Sequence, residues 1–447
     1  MGKKLSHIAP GFIVFLSFAV VILLGALALM HPACRLEPMS FLDLLFTATS
    51  VTCVTGLFTV PIDQFTTMGH AVILALIQIG GLGLITLSVF LISLLGNLGL
   101  STKLMAGQLL DLEESNNVRD IILFIVRLTL MVELVGAVLA FFVFRDHFPT
   151  GYAWFLAFFH SISAFCNSGI TIFDYSLLLY RTNVILLLTT MGLMLFGGFG
   201  FITWKEIVQY VRSLSKRRRH VFSLHTKIII YGSAVIILWT TLLLLTLEDK
   251  GAFASMSMPN RILNAFFEAV SFRSAGFLTM VVENMQPATL LLALGVSFIG
   301  SSPLSTGSGI KITTFVVILA AVKAALAGRM TVRISNRELV PVQVHKALAI
   351  MMISIFWIVV TTFFLVITEP NGTFFQIVVE SVSAFTNLGI SAGFTNHLSV
   401  IGKMIIMMSM LVGRVGSITM VLALRQLAMG EDRSGIEYSY PEERVMF

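Results

Sequence analysis

The chain has 447 residues, of which 57% are apolar and 12% charged, with a mean hydropathy of +0.93. Soluble domains carry roughly 25% charged residues, so this composition excludes a soluble globular protein and turns the surplus apolar surface to lipid. The net charge of +6 sits in clusters between apolar runs, with no interleaved exposed aromatics, which excludes a nucleic-acid surface; three cysteines at unrelated spacings, Cys34, Cys53 and Cys166, make neither a disulfide framework nor a metal site.

In chain order, Lys3 and Lys4 precede an apolar run over 11–31 that carries Ala26-Leu27-Ala28 near its end. This mimics a secretory leader. The run is nevertheless long enough to cross a bilayer, and later parts of the chain hold equivalent helices, so it reads as a first membrane span. Seven further stretches reach the ~20 residues that a crossing needs. They lie near 71–95, 120–144, 183–210, 227–247, 288–326, 347–368 and 400–427. Between the members of each pair sits a shorter apolar segment, near 41–53, 154–166, 261–273 and 374–386. A helix of that length reaches only ~18 Å, too short to span, so each is expected to enter and return from one side.

Each short segment runs into a glycine: FTATSVTCVTGL at Gly56, FFHSISAFCNSGI at Gly169, FFEAVSFRSAGF at Gly276 and VVESVSAFTNLGI at Gly389. The spacings of 113, 107 and 113 residues make the chain one unit written four times. The quarters are 1–100, 101–215, 216–335 and 336–430, with a tail over 431–447. The expected fold is an all-α polytopic membrane protein: four tandem helix–pore-helix–helix repeats, eight transmembrane helices, around a central pore.

Charge sets the orientation. With the N-terminus inside, 19 Lys and Arg fall in inner segments and six in outer ones, so both termini are expected in the cytoplasm and all four glycine loops on the outer side. The basic run at residues 216–220 is either a topology anchor binding anionic lipid headgroups or a contact for a cytosolic partner.

Backbone outside a helix survives at membrane depth only where it is buried in protein or lines a wet cavity. Four such segments entering from one side are best satisfied around a common axis, with the partly negative C-terminal end of each half-helix towards the centre. Glycine lets each loop turn its carbonyls inwards, and rings of carbonyls replace the water shell of K⁺. The expected substrate is an alkali cation. The filter segments are Val54-Thr55-Gly56, Asn167-Ser168-Gly169, Ser274-Ala275-Gly276 and Asn387-Leu388-Gly389, holding K⁺ by backbone carbonyls.

The helix after each loop is rich in small residues, which let membrane helices approach closely. Gly81, Ser301 and Arg414 lie 25 residues after their filter glycines, and Gly198 lies 29 after Gly169, which implies a loop four residues longer in the second quarter. Arg414 thus occupies a position that is small elsewhere. A cation at that depth must face a cavity or a partner: it either lies by the axis below the filter as a barrier or counter-charge, or pairs with a buried carboxylate such as Glu133, Glu268 or Glu380. In the third quarter the second helix holds Gly300, Ser301, Ser302, Pro303, Leu304, Ser305, Thr306, Gly307, Ser308, Gly309 and Lys311. Proline costs ~3 kcal/mol inside a helix and each glycine ~1, so this stretch is expected to unwind and form a flexible constriction beneath the filter. Lys311 either pairs with a carboxylate or caps exposed carbonyls.

TCVTGL, FHSISAFCNSG, the segment Arg273-Ser274-Ala275-Gly276, GSSP…GSGIK and GRVGSIT resemble the Trk/Ktr/HKT superfamily of potassium transporters, most closely its bacterial KtrB (TrkH-like) branch, from about residue 10 to the YPEER at 440–444. The resemblance implies a K⁺ pathway with one filter glycine per repeat, an intramembrane gating loop matching residues 300–312 and a pore arginine matching Arg414. It further implies a homodimer in a bacterial inner membrane and a cytosolic KtrA/TrkA-like nucleotide-binding (RCK) ring, with ATP, ADP or NAD(H) on that partner only. Na⁺ is implied as an activator, and no covalent cofactor is expected. A Na⁺-conducting or K⁺/Na⁺-coupled transporter of the same superfamily is the alternative. No helix carries arginine at every third position, so a voltage sensor is not expected. The repeats share one orientation, unlike the inverted repeats of many alternating-access transporters. The histidines show no catalytic or metal spacing, so the chain is not expected to be an enzyme.

Overall fold

Hydroxyl or amide side chains cap the starts of six helices among the described residues, and glycines at positive φ stop at least four. The computed structural model describes residues 10–83, 118–173, 176–215, 221–329 and 331–416. Lys3 and Lys4, the far ends of the expected spans at 71–95 and 400–427, the basic run at 216–220 and the tail at 431–447 lie outside the described residues.

The helices fall into four groups of three. The first is α1 (Pro10–Leu29), α2 (Phe41–Thr52) and α3 (Thr67–Leu82). The second is α4 (Val118–Phe144), α5 (Thr150–Phe165) and α6 (Val184–Gly198), continued by α7 (Phe201–Ser215). The third is α8 (Leu224–Leu247), α9 (Met258–Ser271) and α10 (Pro287–Ile299), continued by α11 (Ile312–Leu326) and a two-stranded hairpin, β1 (Arg333–Ile334) with β2 (Arg337–Glu338). The last is α12 (Pro341–Thr368), α13 (Phe374–Thr386) and α14 (Val400–Val415).

Local sequence explains these boundaries. Ser40 caps α2 by accepting the Asp43 amide, and Thr373 forms a reciprocal capping box with Gln376 on α13. Thr66, Asn183 and Ser399 each cap the third helix of their group by accepting an amide three residues on. Those caps, with Gln286 before α10, lie 10, 14, 10 and 10 residues after Gly56, Gly169, Gly276 and Gly389 in turn. The second loop is therefore four residues longer, as the spacing of the small residues implied.

Packing closes a circle. Within each group the first helix lies against the other two. Between groups, α3 packs on α5, α6 on α9, α10 on α13 and α14 back on α2. The third helix of each group thus meets the short helix of the next, and the chain's last group meets its first. An ion pair fastens that last seam: Lys403 on α14 reaches Asp43 on α2 at 2.6 Å, with both side chains largely covered.

The structure corrects one expected span. The stretch 183–210 is not one helix but two, α6 and α7, which meet at 103°. Gly200, at φ +82, stops it, since glycine alone takes the left-handed C-terminal position without a Cβ penalty. Helices α3 and α14 end in the same way, on Gly83 and Gly416. Among the described residues, Ile122–Phe144, Leu224–Leu247 and Pro341–Thr368 are long and apolar enough to cross a membrane, with a fourth crossing if the bent pair counts as one. Leu130, Met131, Leu134 and Val135 on α4, and Phe356, Val359 and Phe363 on α12, remain exposed, as lipid-facing surfaces do.

Candidate functional site

The four short helices end at Thr52, Phe165, Ser271 and Thr386, and each is followed by two left-handed residues separated by one. The pairs are Val54 and Gly56 (φ 59 and 90), Asn167 and Gly169 (58 and 67), Ser274 and Gly276 (95 and 74), and Asn387 and Gly389 (53 and 81). For non-glycine residues such dihedrals are uncommon, and four in register mark a repeated backbone design. Three loops share one bond: the amides of Thr55, Ser168 and Leu388 donate to the carbonyls of Ser50, Ser163 and Ser383. In the third, Ala275 bonds instead to Ser271, which goes with the wider φ at Ser274.

The loops touch one another in cyclic order. A Cβ on Gly56 would stand 2.6 Å from the carbonyl oxygen of Ser168. On Gly169, Gly276 and Gly389 it would stand closer still to the carbonyl oxygens of Ala275, Leu388 and Thr55. Each glycine therefore lies against the carbonyl just before the glycine of the next loop, and the fourth returns to the first. Side chains brace the ring from outside. Asn387 donates to the Cys53 carbonyl at 2.8 Å and to the Thr55 hydroxyl at 2.7 Å, across the seam between the last and first groups. Asn167, at the matching position, donates to Thr306 at 2.7 Å. The seven residues of these loops other than the glycines and Asn167 are at most 2% exposed, and Asn167 is 6% exposed. A cavity of about 280 Å³ opens over the ring, lined by Gly56, Leu57, Glu283, Gly389 and Thr395.

Beneath it, residues 300–311 are unwound as expected, since α10 stops at Ile299 and α11 starts at Ile312. The loop is clamped on several sides. Its Ser302 and Thr306 amides donate to the carbonyls of Gly198 and Gly197, both at 3.1 Å. The Thr306 hydroxyl donates to the Phe165 carbonyl at 3.0 Å, and the Ser308 amide to the Ser274 hydroxyl at 3.0 Å. The Leu304 carbonyl accepts from Phe201, the first residue of α7. Pro303 supplies no amide, and Leu304 takes φ 51. Lys311 caps a carbonyl, donating to Gly307 at 2.9 Å.

Of the two alternatives for Arg414, the structure shows carbonyl contacts and, among the described residues, no carboxylate. Its Nη1 donates to the Thr306 carbonyl and, at 3.4 Å, to the Ser308 hydroxyl. Its Nη2 donates to the carbonyls of Gly80 at 2.5 Å and Gly81 at 3.0 Å. One guanidinium thus joins the end of α3, the unwound loop and α14. The three buried carboxylates bond elsewhere: Glu268 accepts from Thr279, Glu380 from Ser391 and Thr395, and Glu133 from Gln78.

The outward bracing by Asn167 and Asn387 and the Asp43–Lys403 pair go beyond the expected site. The matching asparagines two residues before Gly169 and Gly389 were the available signal; nothing local pairs residues 43 and 403. At the start of α2, burial would raise the Asp43 carboxyl, but Lys403, Ser40 and Thr59 hold it below the usual carboxylate range. Among the described residues no cluster of His, Cys, Asp or Glu could hold a metal ion.

A family model described as a cation transport protein, TrkH, matches residues 11–433. The Ktr system potassium uptake protein B of Bacillus subtilis is 33% identical over 97% of this chain and 96% of that protein. The potassium/sodium uptake protein NtpJ of Enterococcus hirae is 31% identical over 100% of this chain and 99% of its own length. The crystal structure of the potassium transporter TrkH from Vibrio parahaemolyticus shares the fold, with a TM-score of 0.74 over 93% of this chain and 84% of that one, at 20% identity. Carrying the glycine loops and the unwound segment on one fold, this chain belongs to the TrkH family of cation transport proteins.

Proposed function

We propose that the chain is the K⁺-translocating subunit of a gated K⁺ uptake system, built of four repeats with eight membrane crossings around one pore. The observation that carries this reading is the cyclic contact of the four glycine loops, each glycine against a carbonyl of the next loop. Paired left-handed residues turn successive peptide planes away from strand geometry, which suits carbonyls directed at an axis. A dehydrated K⁺ is held there by Val54-Thr55-Gly56, Asn167-Ser168-Gly169, Ser274-Ala275-Gly276 and Asn387-Leu388-Gly389. The membrane potential drives entry, at ~2.3 kcal/mol per charge per 100 mV.

Residues 300–311 are the gate and Arg414 its latch. The loop closes the path directly under the ring, and the carbonyl contacts of Arg414 support the closed position. The name of the Bacillus subtilis relative as part of a system supports a partner subunit, here a cytosolic nucleotide-binding ring acting on a homodimer in the bacterial inner membrane, with Na⁺ as activator. A Na⁺-conducting or K⁺/Na⁺-coupled transporter is the second reading, favoured by the potassium/sodium name of the Enterococcus hirae relative.

The test is ⁸⁶Rb⁺ or K⁺ uptake into liposomes holding the purified chain, with an inside-negative potential, with and without Na⁺ and a candidate ring subunit. Potential-driven K⁺ uptake is expected. Uptake of Na⁺ at equal rate with no K⁺ preference would overturn the K⁺ reading in favour of the second.

A further inference from the structure

Away from the ring, a buried polar group between the first two helix groups is short of partners. Glu133 on α4 is 4% exposed, and its Oε2 accepts one hydrogen bond, from the Gln78 side-chain amide on α3 at 3.3 Å. Among the described residues its other oxygen, the Gln78 Oε1 and the hydroxyl of fully buried Thr129 have no hydrogen-bond partner. Thr129 lies one turn before Glu133 on the same face of α4. Among the described residues Glu133 takes part in no ion pair. A carboxylate at this depth is costly unless paired.

We infer that Glu133, Gln78 and Thr129 form a binding site for a monovalent alkali cation, distinct from the glycine ring. The donor set is all oxygen, the choice of a hard cation. One carboxylate balances one positive charge, whereas a divalent ion would leave an excess charge buried. A proton on Glu133 competes for the same place, since it can donate to the Thr129 hydroxyl, which in turn donates to Gln78; a cation instead engages all three oxygens directly. The site is also built into the surroundings of the ring. The Ser161 hydroxyl on α5 donates to the Glu133 backbone carbonyl at 2.6 Å, pinning this turn of α4 to the short helix that leads to Gly169. Gln78 lies two residues before Gly80, whose carbonyl holds Arg414. A cation drawing on the Gln78 side chain therefore steadies the end of α3 that the guanidinium grips, and its occupancy is linked to the latch.

Binding here does not depend on the conduction reading, and the experiment keeps the two apart. Thermal unfolding of the purified full chain in detergent is followed as NaCl replaces choline chloride at constant ionic strength, then repeated with KCl. The wild-type chain shows a saturating Na⁺-dependent rise in Tm. Glu133→Gln raises the half-saturating concentration at least ~10- to 100-fold, the cost of losing even a group that only supports a metal ligand, and Gln78→Leu and Thr129→Val shift it in the same direction. The response to K⁺ through the ring persists in these variants and is lost in Gly56→Ala, so failure of the ring reading shows separately. If Glu133→Gln does not elute as a folded protein, the other two variants carry the test. Superimposable Na⁺ titrations for wild type and variants overturn the site. So does an infrared band of a protonated carboxyl at neutral pH that Glu133→Gln removes, which would make the occupant a proton.

Discussion

Replacing Gly56 with alanine is expected to abolish high-affinity K⁺ uptake while the protein still folds. At φ +90 a side chain costs ~1–2 kcal/mol. The new Cβ would stand 2.6 Å from the Ser168 carbonyl oxygen, against 3.4 Å for ordinary contact, and overpacking of that kind costs ~1–3 kcal/mol. The sum, about 3 kcal/mol, is relieved only by moving the carbonyl proposed to hold the ion, and it corresponds to a loss of more than ~100-fold in binding. The assay is the K⁺ dependence of ⁸⁶Rb⁺ uptake in cells lacking other K⁺ uptake systems, with membrane abundance measured alongside. Gly328→Ala is the control, because Gly328 has φ +63 but open space around its Cβ position; it carries the strain without the clash and should transport normally. A Gly56→Ala protein with wild-type KM and rate would refute the argument that the ring selects the ion.

Arg414→Ala removes charge-assisted bonds worth ~1.5–3 kcal/mol each from the loop and from α3. It should raise flux in the absence of any regulatory subunit, measured as ⁸⁶Rb⁺ uptake into liposomes; unchanged flux would reduce the arginine to a packing role. Thr306→Val deletes the hydroxyl that donates to Phe165 and accepts from Asn167, a loss of ~1–3 kcal/mol. Basal flux should rise here too, and a wild-type rate would count against the loop as a gate. Asp43→Asn should lower thermal stability by about 1–2 kcal/mol, between the values for exposed and buried pairs. Since the folded-state Asp43 carboxyl is held below its usual range, its contribution is present above about pH 4 and is lost as pH falls further through the folded value. Thermal unfolding of wild type and Asp43→Asn should therefore converge in acid, and parallel curves would show that the Lys403 pair contributes nothing.

The apolar segments, the short helices and the glycine after each were legible because their causes are local. A run of lipid-compatible residues needs no partner to be recognised, and hydroxyl caps mark helix starts. The observed short helices Phe41–Thr52 and Phe374–Thr386 fall within a residue of the expected segments. Proline and three glycines likewise foretold the unwinding of residues 300–311. The break at Gly200 was less legible, because a glycine in an apolar run is tolerated in a membrane helix as readily as it ends one; only the turn into α7 against Leu304 decides it.

The sequence by itself determined the fourfold period, the extra four residues of the second loop and the placement of an arginine where the other quarters are small. Only the tertiary structure decided what those features meet. That Gly276 faces the Leu388 carbonyl, that Asn387 braces Cys53, and that Arg414 reaches Gly80 and Thr306 rather than a glutamate are contacts across 100 to more than 300 residues of chain. No local propensity encodes them. They follow from the order in which the four groups close on one another, with the last group packed against the first.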